Sequence, residues 1–83
     1  MKVELSQHAR SQFIERNIRE EWVARVLAEP EIDRDDPIHQ DVRQALRRIA
    51  DYNNRWPRVV YKRRPNSYFV LTAFFDRNAE KRK

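Results

Sequence analysis

Glycine and cysteine are both absent from the 83 residues. At an average usage near 7%, a chain of this length would hold about six glycines. Their absence removes the glycine-rich phosphate loop and the dinucleotide fingerprint, which need bare backbone against the ligand. Any phosphate bound here must be held by side chains or by a helix N-terminus. Without cysteine there is no disulfide framework, thiolate nucleophile or zinc–thiolate site, and an intracellular, cytoplasmic protein is expected. Two histidines, His8 and His39, are too few for a His-only metal cluster, and no ligand spacing suggests a metal or another cofactor. No apolar run approaches the roughly 18 residues of a membrane span. Met1-Lys2-Val3-Glu4 does not begin a secretory signal, so no membrane partner is expected.

What the chain has in excess is charge: 37% of its residues, against about 25% in an ordinary soluble domain. The 40% apolar fraction still suffices for one small core, expected over residues 1–77, with 78–83 as a flexible basic tail. Lys and Arg number 18 against 13 Asp and Glu, a net charge of +5. The charge is unevenly placed: residues 1–42 carry six basic and ten acidic side chains, residues 43–83 twelve and three. Fourteen of the basic residues are Arg, whose planar fork matches phosphate oxygens as an ammonium cannot. A basic half of this kind points to a polyanion, nucleic acid first. The alternative is that the charge serves solubility and ion pairs within the chain.

Ser6 suits a helix N-cap, and Ala9, Phe13 and Ile14 form an apolar stripe behind it. Asn17-Ile18 reads as a break, with Asn taking the left-handed conformation that Gly usually supplies. A second helix is predicted from Arg19 to Ala28, with Trp22, Val23, Val26 and Leu27 on its apolar face and Pro30 as its stop. Residues 31–41 read as an acidic loop, with Ile32 starting a short edge strand. Residues 42–52 are ambiguous: Val42, Ala45, Leu46 and Ile49 fit helical spacing, but 45–50 could also be a strand. Tyr52-Asn53-Asn54-Arg55 reads as a turn. Trp56–Arg63 and Tyr68–Phe75 read as strands joined at Pro65-Asn66-Ser67, the second central and buried on both faces.

Ser6-Gln7-His8-Ala9-Arg10, then Glu15-Arg16-Asn17-Ile18, then Val26-Leu27-Ala28-Glu29-Pro30 resembles the opening of the domain-of-unknown-function 4258 family. Arg58-Val59-Val60-Tyr61 and Val70-Leu71-Thr72-Ala73-Phe74-Phe75-Asp76-Arg77 resemble its close. The resemblance covers about residues 5 to 77, with Asn17 in place of the usual Gly, and is weak over 31–55. It implies an α+β fold of two N-terminal helices packed on a small antiparallel sheet, similar to the RelE-like and barnase-like metal-independent ribonuclease toxins. It also implies a strand over 44–51. A strand there is expected, because a three-stranded meander gives both helices a sheet face to cover. A cognate antitoxin protein is an implied partner, and a homodimer through an apolar sheet edge is a further option.

Metal-free RNA cleavage needs a base for the 2′-hydroxyl, cations for the charge building on phosphate, and an acid for the leaving oxygen. His8 suits acid or base work at neutral pH. Arg10, Arg16 and Arg48 complete the candidate catalytic set, as clamps on the phosphate. Arg47, Arg58, Tyr61, Arg63 and Thr72 are the candidate RNA-binding residues. The plainer alternatives are a surface His8, an Arg16 paired with Glu15, Glu20 or Asp76, solvated Arg47 and Arg48, and Tyr61 and Thr72 as ordinary strand residues. Trp56 is either a lid on the core or a stacking platform. Three functions follow: a toxin-like endoribonuclease, a non-catalytic module binding RNA or a partner protein, and an accessory domain.

Overall fold

A computed structural model of the chain describes residues 2–81, with side chains through residue 79. The elements run β1 Lys2–Leu5, α1 Gln7–Arg16, α2 Glu20–Ala28, β2 Ile32–Asp35, β3 Arg43–Leu46, β4 Pro57–Arg64, β5 Ser67–Phe75 and α3 Arg77–Lys81. The strands form one five-stranded sheet in the order β1-β5-β4-β3-β2. The fold is α+β, but the sheet is mixed rather than antiparallel, because β1 pairs parallel with β5. It also has five strands where a three-stranded meander was expected.

Local chemistry sets the helices. The Ser6 hydroxyl accepts the Ala9 amide at 3.0 Å and caps α1. Asn17 ends α1 with φ 54°, and the Ile18 amide returns to the Phe13 carbonyl at 3.0 Å, which tucks Ile18 into the core. With no glycine in the chain, every left-handed position among the described residues is Asn or Asp: Asn17, Asp41, Asn53 and Asn54. Glu20 and Glu21 sit in the first turn of α2, where the helix dipole favours them. Trp22, Val23, Val26 and Leu27 are its buried face, as their spacing predicts.

The two helices cover one sheet face, the inner face. Ala9, Phe13, Trp22, Val23 and Val26 pack with Ala45, Val59, Tyr61, Val70 and Ala73 in a single core. Each fully buried Val contributes roughly 1.5–3 kcal/mol by leaving water. The Trp22, Tyr52 and Phe75 rings close one end, Trp22 and Tyr52 with centroids 4.2 Å apart.

Three local expectations need correction. Residues 44–51 are not one strand: β3 stops at Leu46, and Ile49 makes only an isolated bridge to Arg55 before the turn. The helical spacing of Val42, Ala45, Leu46 and Ile49 arises because β3 is covered on both sides. Ala45 faces α2, and Leu46, on the opposite face, lies 1% exposed with Trp56 and α3 beside the same hollow. β5 is not buried on both faces, since Phe74 is 36% exposed. β1 was not anticipated at all. Of the expected 78–83 tail, residues through Lys81 belong to α3 and residues 82–83 lie outside the described residues. Among the described residues no helix is long and apolar enough to cross a membrane.

α1 also completes the sheet. β1 pairs with β5 only from Ser67 to Val70. Beyond that point side chains of the cap and helix take over the edge of β5. The Ser6 hydroxyl donates to the Leu71 carbonyl at 3.1 Å, and an Arg16 Nη donates to the Ala73 carbonyl at 2.8 Å. Between Val70 and Thr72 the pairing with β4 slips, so Leu71 is an extra residue in β5.

Candidate nucleic-acid interface

The sheet face away from α1 and α2 is the outer face. Cross-strand pairs share a face, so its rows follow from the register. One row is Ile32, Leu46, Arg58 and Phe74; the next is Arg34, Gln44, Val60 and Thr72; a third joins Lys62 and Glu4 through Phe69. Lys2 and Arg64 flank Ser67 at the end. Lys2, Arg34, Lys62 and Arg64 are exposed, and Arg64 lies 4.2 Å over the Phe69 ring. The carboxylate on these rows is Glu4, which accepts the Ser67 hydroxyl at 2.7 Å and lies 3.8 Å from Arg64. The face therefore combines aromatic rings with cations. That combination stacks bases and neutralises phosphates.

Arg58 anchors the face. Its Nε and Nη2 reach one oxygen of Asp76 at 3.0 and 2.5 Å, and the pair is mostly buried, with side chains 14% and 9% exposed. Its Nη1 donates to the Gln44 side-chain oxygen, and Gln44 donates in turn to Asp36 at 2.9 Å. The other Asp76 oxygen accepts the Asn78 and Ala79 amides and so starts α3. Burial pushes the Asp76 carboxyl up, but Arg58 and these amides outweigh it and hold it below the usual range.

α1 borders the same face. Thr72 donates its hydroxyl to the Gln12 side-chain oxygen. His8 is exposed and lies one helical turn before Gln12, on the same flank. Thus Arg58 and Thr72 lie on the outer face with His8 at its rim.

The remaining predicted residues do not join them. Arg10 lines a different hollow, between α1 and α2, with Phe13, Ile14 and Trp22. Arg16 is engaged at the β5 edge. Tyr61 and Arg63 are on the inner face: the buried Tyr61 hydroxyl donates to Asp33 at 3.0 Å, and Arg63 lies 3.6 Å from the same carboxylate. Burial raises the Tyr61 pKa above its ordinary value. Arg47 and Arg48 follow β3, where Arg47 donates to the Glu29 carbonyl at 2.9 Å and the Arg48 amide donates to Glu31. With β5 and β4 between α1 and β3, the structure does not bring His8 together with Arg47 or Arg48.

Sequence reasoning missed Lys62, Arg34, Phe69 and Phe74 as parts of one surface. Strand alternation carries the signal: Arg58 and Lys62 are four apart on β4 and so share a face. The left-handed Asp41 closes the β2–β3 hairpin, whose tip exposes Ile38. Asp36 holds that tip through the Ile38 and His39 amides. The His39 amide, the Gln44 side chain and the Ile38 amide, in that order, lower the Asp36 pKa to about 2. No group of three or more His, Cys, Asp or Glu among the described residues is placed to hold a metal ion.

No curated protein and no solved structure matches the chain. The family model described as a domain of unknown function, DUF4258, matches residues 5–75. That span runs from the last residue of β1 to the last of β5 and holds both main helices and the whole outer face apart from Lys2 and Glu4. The chain belongs to the DUF4258 family.

Proposed function

We propose that the protein binds single-stranded RNA on the outer sheet face. The observation that carries this reading is Phe74, 36% exposed at the β5 end of its row, on the same sheet face as Arg34 one row away, Phe69 and Lys62 two rows away and Arg64 beyond them. An exposed ring on a sheet offers a base a stacking partner, and the surrounding cations follow the phosphates. The resemblance to RelE-like and barnase-like proteins favours RNA as the polyanion.

A fluorescence-anisotropy titration with a labelled single-stranded oligoribonucleotide tests it. Binding is expected to weaken steeply with added salt. Phe74→Ala is expected to weaken it roughly tenfold, within the range of one lost base stack. Arg10→Ala, on the far flank of α1, leaves affinity unchanged. A folded protein with no measurable binding at low salt refutes the reading.

One observation favours a catalytic version, a metal-independent endoribonuclease: His8 sits at the rim of this face, a turn from the Gln12–Thr72 contact. An imidazole there could exchange a proton with a ribose hydroxyl of RNA lying on the sheet. In that version RNA is cleaved with EDTA present, and His8→Ala stops cleavage while binding persists. Binding without cleavage leaves the module non-catalytic.

A further inference from the structure

The outer face ends in a small pocket beneath α3. Leu46 and the Trp56 ring form its apolar floor, both buried, and Ile32 and Ala79 form its walls. Arg58 and Asp76 form its polar side. Its volume is about 220 Å³. Sites for drug-sized ligands run to roughly 300–1,000 Å³, so this one suits a single ring system. Ile32 is 42% exposed at its wall, an apolar surface with a ring-sized hollow beside it.

The polar side is asymmetric in its hydrogen bonding. One Asp76 oxygen accepts two bonds from Arg58 and the other accepts two backbone amides, so the carboxylate has little acceptor capacity left. Arg58 has three N–H bonds engaged by Asp76 and Gln44, and a guanidinium can only donate with the rest. Arg34, also lining the pocket, is another donor-only group. Asn78 on the lining carries an amide of both kinds. A ring entering here meets mostly donors. It therefore needs acceptors on the edge it presents. Guanine offers O6 and N7 together, whereas adenine puts an amino donor where guanine has O6.

We infer that this pocket holds one guanine base of the bound RNA, selected over adenine by the donor-rich wall around Arg58. The inference rests on the outer-face reading above, since the same face delivers the strand to the pocket mouth. The base slides in edge-on between Ile32 and Ala79 while the flanking nucleotides lie over Phe74 and the cations.

The test compares a labelled oligoriboadenylate with the same oligomer carrying one central guanosine. The guanosine oligomer is expected to bind roughly tenfold tighter, the discrimination of one good base contact. Ala79→Phe fills the pocket and is expected to bring the two affinities together without weakening the oligoadenylate. Equal affinities in the wild type overturn the pocket and leave the open face standing, whereas no binding of either oligomer overturns both. A preference that survives Ala79→Phe in a folded variant also overturns the pocket. Should that variant not fold, guanosine monophosphate titrated into the wild type is expected to shift the Ala79 methyl and Trp56 indole N–H resonances. Adenosine monophosphate should not shift them, and no response to either nucleotide, or the same response to both, overturns the pocket.

Discussion

Asp76 shows how much one side chain can tie together. It neutralises Arg58 in a largely dry setting, caps α3 and forms part of the wall of the pocket under that helix. Removing one partner of such a pair leaves a charge without compensation, which costs on the order of 3 kcal/mol. Asp76→Ala is therefore expected to lower the melting temperature by roughly 12–24 °C, at about 4–8 °C per kcal/mol for a domain this small. The pH dependence has a fixed sign. The folded carboxyl titrates below its ordinary value, so its stabilisation is present above the unfolded pKa near 3.9 and fades as pH falls through the folded one. Thermal melts by circular dichroism should show a wider gap between wild type and variant at pH 7 than at pH 3. An equal gap at both would deny the ion pair its role.

At the scale of elements, the α1–α2 corner turns on Asn17. Alanine in the left-handed conformation costs about 1 kcal/mol, so Asn17→Ala is expected to lower the urea midpoint with an unchanged slope. Asn17→Gly, which adopts that conformation freely, should restore it. This corner was readable because its instructions are local: a cap at Ser6, an apolar stripe, a left-handed Asn and a stop at Pro30. β4 and β5 were equally readable from their β-branched and aromatic content. β1 was not, since Lys2–Leu5 becomes a strand by pairing with residues 67–70, at the other end of the chain. β3 misled for a physical reason. With Ala45 and Leu46 buried on opposite faces, its pattern loses the period of two that marks a half-solvated strand.

For the whole molecule, the candidate surface depends on what covers each face, and that is decided by packing. Arg58 and Thr72 were legible as strand residues of interest. Nothing near Phe74 in the chain says that α1 and α2 cover the other face and leave this ring in view. Nor does local sequence reveal that Tyr61 and Arg63 turn inward to Asp33. The exposed cations of the outer face are Lys2, Arg34, Lys62 and Arg64. If all four meet phosphates, the slope of log affinity against log salt is about −3 for a single strand. Lys62→Ala should make it shallower by about 0.7 while weakening all sequences alike. A slope near zero would mean that these cations face water in the complex.

The sheet terminates on both sides in a strand of four residues, β1 and β2. Each carries ionised groups: Lys2 and Glu4 on one, Asp33, Arg34 and Asp35 on the other. A second copy adding to β2 about a twofold axis would set Asp33 against Asp33 or Arg34 against Arg34, and such like-charge pairs are unfavourable. Short, charged borders are how a β protein avoids templating its own polymerisation. The chain can thus leave the Phe69 and Phe74 side of its outer face uncovered without the sheet becoming the seed of a fibril.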